Sequence, residues 1–150
     1  MIGQSAPAFA MDCDDGPVSL ADYRGKILVL YFYPKDDTSG CTSQAKAFRD
    51  AIAEYRAAGI EILGVSKDSV ASHAKFRAKH DLPFRLGSDP DGTACEAYGV
   101  WKQKSMYGRQ YMGIERSTVL IDREGVVRAE WRKVKVTGHA AEVLKAAKAL

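Results

Sequence analysis

Ile27-Leu28-Val29-Leu30-Tyr31-Phe32-Tyr33-Pro34-Lys35-Asp36-Asp37-Thr38-Ser39-Gly40-Cys41-Thr42 is the stretch on which the reading of this chain turns. Its first seven residues are continuously apolar, rich in β-formers and bounded by Gly25 and Pro34, the pattern of a central strand covered on both faces. From Ser43 to Ala58 the positions Ala45, Phe48, Ile52 and Tyr55 recur at helical spacing, and Gly59 ends the run. Cys41 therefore falls in the first turn of a helix that follows a central strand. Unpaired backbone N–H groups and the positive end of the helix dipole favour a thiolate there. Gly40 lets backbone approach a ligand closely. The Thr38 hydroxyl is placed either to cap the helix or to hydrogen-bond a bound substrate, and Pro34 to pack against the sulfur and limit water.

Outward from this junction, Ile60 to Val65 reads as a second buried strand. A helix follows from about Val70 to Lys79, then a short strand near Phe84 to Leu86, and a short helix near Thr93 to Tyr98 after the Asp89-Pro90-Asp91-Gly92 turn. Thr118 to Ile121 and Val126 to Trp131 flank the turn-rich Asp122-Arg123-Glu124-Gly125 and predict an antiparallel hairpin. Val143, Leu144, Ala147 and Leu150 give a closing helix after Gly138. A β-α-β unit feeding a β-β-α unit makes an α/β mixed central sheet flanked by helices, the order of a thioredoxin-like fold. Gly3 to Val18 reads as an added N-terminal hairpin. No linker or repeat divides residues 1–150, so a single domain is expected.

At 150 residues, 46% hydrophobic and 27% charged, the chain has globular composition and can bury a core without staples. Its three cysteines, Cys13, Cys41 and Cys95, form no Cys-x-x-Cys pair and no closed disulfide set, which points to a reducing compartment. His73, His80 and His139 lack metal-ligand spacing, so neither metal nor other cofactor is expected. A net charge of +3 without a dense basic stripe argues against nucleic acid. Arg128, Arg132, Lys133 and Lys135 read as a solvated strand edge, and the acids Asp12, Asp14, Asp15 and Asp22 as a solvated turn. With no signal peptide and no membrane-length apolar run, a cytoplasmic protein is expected.

A lone cysteine is more often a small buried hydrophobe than a nucleophile, and Thr38 or Pro34 alone is more often a cap or a strand terminator. The conjunction Pro34-x-x-x-Thr38-x-x-Cys41, at the carboxyl end of a central strand where α/β sheets place their ligands, changes that balance. At these residues the chain resembles the peroxiredoxins, and within them the peroxiredoxin Q or bacterioferritin comigratory protein branch. The resemblance extends through Gly3 and Ala6-Pro7-x-Phe9, Gly25-Lys26, Phe48-Arg49-Asp50 and Gly113-Ile114-Glu115-Arg116-Ser117-Thr118 to Leu120-Ile121-Asp122.

The resemblance implies a peroxiredoxin-type thiol peroxidase in which Cys41 attacks hydrogen peroxide or an organic hydroperoxide to give a sulfenic acid. Thr38 and the Cys41 N–H would bind the peroxide, Arg116 would hold the thiolate and polarise the O–O bond, and Pro34 would shield the site. Read without the family, Arg116 makes a surface ion pair with Glu115 or Asp122. Two family features are missing: the resolving cysteine five residues on is Lys46, and the alternative position near Phe76 and Arg77 is empty. Cys95 is then the better internal candidate for resolution and Cys13 the poorer. Family members unwind the nucleophile's turn during the cycle, which would let a distant thiol reach it. The reading preferred is resolution by an external thiol, thioredoxin or a low-molecular-weight one, in a monomer or weak homodimer. The alternatives are a two-cysteine cycle through Cys95 and a peroxide sensor without sustained turnover.

Overall fold

β3 (Ile27–Phe32) is buried at every position, as its unbroken apolar run requires. The structure is a computed structural model and describes residues 1–150. β3 pairs in parallel with β4 (Ile60–Ser66) and antiparallel with β8 (Ser117–Ile121). These three strands centre a seven-stranded mixed sheet of order β2-β1-β5-β4-β3-β8-β9, the thioredoxin-like arrangement. Its remaining strands are β1 (Ala10–Cys13), β2 (Gly16–Ser19), β5 (Arg85–Ser88) and β9 (Val127–Trp131). The helices are α1 (Ser39–Asp50), α2 (Ile52–Ala57), α3 (Val70–His80), α4 (Thr93–Ala97) and α5 (His139–Lys148).

Alternation along β3 divides the interior into two cores. Ile27, Val29 and Tyr31 face α1, α2, α3 and α5, packing with Phe48, Tyr55, Phe76, Val143 and Cys41. Leu28, Leu30 and Phe32 face the other way, packing with Val18, Val65, Tyr98, Val119, Cys13 and Cys95. The sheet thus stands between Cys41 and the other two thiols.

Several elements differ from expectation. The helix expected from Ser43 to Ala58 begins at Ser39 and breaks at Ala51, whose N–H turns back to the Phe48 carbonyl at 3.2 Å in a 3₁₀-type closure. Phe48 and Tyr55 stay on one buried face across the break, so the periodicity is continuous where the helix is not. β5 runs on to Ser88, past the Gly87 at which apolar reading stops. The N-terminal hairpin is β1 and β2, added to the sheet through Asp12 opposite Ser88. The residues before it cross to the opposite edge, where Gly3 N–H donates to Val127 O at 2.8 Å. The acidic turn is fastened rather than free, with Asp14 2.6 Å from Arg77 and Asp15 2.9 Å from Arg85.

The sequence reading missed β6 (Trp101–Met106) and β7 (Arg109–Ile114), a two-stranded ribbon apart from the main sheet. Its tip is Tyr107-Gly108, both with positive φ. Tight hairpins favour that geometry, but Tyr at the first position hides the signal that Asn or Asp would give. The ribbon also lacks alternation, leaving Met106, Tyr107, Tyr111 and Met112 exposed. No helix is long and apolar enough to cross a membrane.

His139 opens α5 beneath the sheet, its Nε2 2.7 Å from the Thr118 hydroxyl. Burial, partly offset by Glu142 and reinforced by the Arg116 cation, holds its pKa below the ordinary 6.5. The unfolded chain takes up this proton near the ordinary value and the folded chain resists it, so stability falls as pH drops below that value. Thermal unfolding at about pH 7 and about pH 5 checks this. The native chain should lose more Tm on acidification than His139→Gln.

Candidate active site

β3 ends where Pro34 withdraws a donor from the ladder, after Tyr33 N–H has made a last bond to Val65 O at 3.0 Å. The chain turns through Lys35, Asp36 and Asp37 and enters α1 at Thr38, which is extended at φ −87° and ψ 157°. The first hydrogen bond of α1 runs from Thr42 N–H to Thr38 O at 2.8 Å. The N–H groups of Ser39, Gly40 and Cys41 precede it and form the open end of the helix. Of the two placements open to Thr38, capping is not used: its hydroxyl donates to Lys35 O at 2.8 Å and closes the turn.

Cys41 is 2% exposed, on the first turn of α1. Arg116 reaches it from 75 residues away because Phe32 pairs with Ser117 across the β3–β8 ladder. One guanidinium nitrogen of Arg116 lies 3.3 Å from Cys41 Sγ and the other donates to Gln44 Oε1 at 2.6 Å. Arg116 makes no ion pair with Glu115 or Asp122, and Asp122 is held instead by Arg128 at 3.3 Å. Gly40 keeps this arrangement open, since a Cβ there would sit 3.2 Å from the guanidinium. Lys104 approaches from the ribbon: burial and the Arg116 cation hold its pKa below the ordinary value, partly offset by Cys41 and Glu115.

Gln44 escaped the sequence reading. Its signal was the three-residue spacing from Cys41, which puts both side chains on one helix face. Gln44 Nε2 is buried without a partner, and so is the Tyr31 hydroxyl. Burial first, then the neighbouring Cys41 and Asp36, push the Tyr31 phenol well above its usual pKa. An unpaired buried polar atom costs about 1–3 kcal/mol, so this end of β3 carries unspent hydrogen-bonding capacity around the sulfur.

Of the residues singled out from sequence, Cys41 and Arg116 meet directly, and Pro34 and Thr38 bracket the turn that leads to them. Cys95 does not join them. It is fully buried in α4 on the far face of the sheet, its N–H bonded to Asp89 Oδ2 at 2.9 Å. Burial, with Asp89 beside it, pushes its thiol well above the usual range. Cys13 lies on that far face too, pushed up to about 11 mainly by burial. Lys46, at the family's resolving position, is exposed.

Comparison with known proteins gives a consistent picture. Residues 2–130 match the model of the AhpC/TSA family. The Bacillus subtilis protein named peroxiredoxin Bcp is 52% identical over 148 residues, covering 98% of this chain and 94% of the relative. The solved Xanthomonas campestris peroxiredoxin Q superposes with a TM-score of 0.90 at 49% identity, over 94% of this chain and 90% of that one. A further Xanthomonas campestris structure, described by the alkyl peroxide reduction activity of its bacterioferritin comigratory protein, gives a TM-score of 0.89 at 48% identity with the same coverage.

Proposed function

Because the chain belongs to the AhpC/TSA family and is a peroxiredoxin, a thiol-dependent peroxidase, we propose that Cys41 is its peroxide-reducing nucleophile and that an external thiol completes the cycle. The observation that carries this reading is the Arg116 guanidinium 3.3 Å from a sulfur at an open helix N-terminus. The Cys41 thiolate attacks the nearer oxygen of the hydroperoxide in line with the O–O bond. An S–O bond forms as the O–O bond breaks, and the departing alkoxide or hydroxide takes a proton to leave as alcohol or water. Negative charge moves from sulfur onto oxygen, and the fixed cation faces it throughout.

Thr38 suits a positioning contact with the peroxide. Its hydroxyl hydrogen is committed to Lys35 O, so its lone pairs remain to accept the peroxide O–H. The Cys41 N–H is the opposing donor, and Pro34 heads the turn that excludes water. Hydrogen peroxide and small organic hydroperoxides are the substrates, and the alkyl peroxide activity described for the Xanthomonas relative supports the second class.

A disulfide requires Cα atoms within about 7 Å, and the sheet stands between Cys41 and both other thiols. Resolution by Cys95 would require both the first turn of α1 and the buried α4 to unwind and meet around the sheet. The external thiol, thioredoxin or a small one, attacks the sulfenic sulfur and releases water. A second thiol then cleaves the mixed disulfide and returns Cys41. Mass spectrometry after one equivalent of peroxide, without added thiol, should find one oxygen added at Cys41 and all three cysteines unbridged. A Cys41–Cys95 disulfide would sink the external-thiol cycle. Peroxide consumption with thioredoxin, its reductase and NADPH should persist over many turnovers, whereas a single stoichiometric burst would identify a sensor.

A further inference from the structure

Asp36 lies midway along the turn that delivers Thr38 and Cys41, yet it is only 7% exposed. Its Oδ1 accepts from the Tyr33 hydroxyl at 2.5 Å, and its Oδ2 meets the Ser72 hydroxyl at 2.8 Å and His73 Nδ1 at 2.7 Å. Its own N–H donates to Asp68 Oδ2 at 2.9 Å, an oxygen that also accepts from the Ser66 hydroxyl at 2.6 Å. His73 is fully buried, and its Nε2 lies 3.1 Å from the Gly87 carbonyl. A carbonyl only accepts, so Nε2 carries a hydrogen, and one further proton is held between Nδ1 and the carboxylate. Facing atoms of Asp36, Asp68 and His73 come within 4.8 Å of one another. Protein donors already occupy them, so the cluster works as a fastening rather than a metal cage.

The fastening joins the turn to elements that contribute nothing else to the site. Asp36 ties it to the first half of α3 through Ser72 and His73, and through His73 to β5. Asp37, in a left-handed conformation at φ 59°, ties it to the end of α3 through Lys79 at 2.8 Å and His80 at 3.4 Å. We propose that Asp36 and His73 are positioning residues that hold the Thr38–Cys41 turn closed against α3 and so set the balance between the two half-reactions. The proposal rests on the external-thiol cycle above.

The physical reason is a difference in size. A hydroperoxide is small and reacts only when Thr38, the Cys41 N–H and Arg116 converge on it, so a closed turn speeds oxidation. A reducing thiol is larger and must reach the sulfur of a residue that is only 2% exposed, so a closed turn slows reduction. Opening the turn withdraws the Asp36 carboxylate from three side-chain donors at once, two of them fully or nearly fully buried.

The test is Asp36→Ala with Asp36→Asn as the conservative partner. Three quantities are measured: single-turnover oxidation of Cys41 by hydrogen peroxide, reduction of the preformed sulfenic acid by dithiothreitol, and hydrogen exchange of amides 38–44. Asp36→Ala should slow oxidation about tenfold or more, speed reduction several-fold, and raise exchange in the turn while leaving β8 protected. Asp36→Asn keeps the shape and an acceptor for His73 and should restore most of all three. Should Asp36→Ala fail to fold, Ser72→Ala removes one of the three donors and should give the same opposed pair of changes, smaller. Rates that move in the same direction, or not at all, overturn the proposal. If native Cys41 does not react with peroxide, the peroxidase reading falls by itself, and the exchange measurement still decides whether the fastening holds the turn.

Discussion

Arg116→Ala is expected to slow the reaction of Cys41 with hydroperoxide by about 10²–10³-fold, the loss typical of removing one preorganised donor from a developing oxyanion. Arg116 contacts the Cys41 sulfur itself at 3.3 Å, and its other branch is fixed on Gln44 Oε1 at 2.6 Å. One planar group therefore holds the sulfur and is itself held, with no water needed between. Truncation leaves the Gln44 side chain without any partner, since its Nε2 is already unpaired. Arg116→Lys keeps the charge but loses the fork that spans both contacts, and it should recover only part of the rate. Competition against a second peroxidase gives the rate constant, and near-ultraviolet circular dichroism shows whether the fold survives. Cys41→Ser sets the floor of zero turnover. An Arg116→Ala rate within threefold of native would show that the guanidinium is a bystander.

Phe48→Ala should be the most damaging single truncation in the core, costing about 3–5 kcal/mol and lowering Tm on the order of 10 °C. Phe48 is fully buried and stacks on Tyr31 at 4.9 Å between ring centroids. It also meets Tyr55 at 6.0 Å, His139 at 6.3 Å and Phe84 at 6.5 Å edge-on. It is thus the one ring of α1 that touches β3, α2, α5 and the approach to β5 together. A cavity there has rigid aromatic walls and little capacity to collapse. Denaturant unfolding measures the cost, and a loss below about 1 kcal/mol would show that the walls close in.

Most of the fold was legible in the sequence because its elements carry unambiguous periodicity. The continuous run Ile27 to Tyr33 admits only a strand covered on both faces, and Phe48 to Tyr55 marks a helical face even across the break at Ala51. The ribbon from Trp101 to Ile114 was not legible, since it buries neither face consistently and its turn uses Tyr107 where Asn or Asp would have been a signal. The fastening of Asp14 and Asp15 to Arg77 and Arg85 was invisible for a different reason. Such pairs join residues 63 and 70 positions apart, and local composition says nothing about them.

The site divides along the same line. Within the sequence alone, Pro34, Thr38, Gly40 and Cys41 already form one unit, because a strand end followed by a helix start places all four on one short segment. Even there, the hydroxyl of Thr38 was open between two uses that the structure separates. Gln44 needed only helical spacing to be found, but nothing marked it until a partner for its amide was known.

What the sequence determined by itself is the strand, the helix and the cysteine at their junction, because each is set by neighbours within a few residues. What only the tertiary structure decided is the company that cysteine keeps. Antiparallel pairing of β3 with β8 brings Arg116 to the sulfur, α3 grips the turn through Asp36, and alternation along β1 puts Cys13, and the packing of α4 puts Cys95, behind the sheet. The number of thiols was readable from the start, but whether one could resolve another depends on which face of a sheet each occupies. For Cys13 that is settled by strand register, where a shift of one residue exchanges the two faces, and for Cys41 and Cys95 by the opposite faces of the sheet on which α1 and α4 pack.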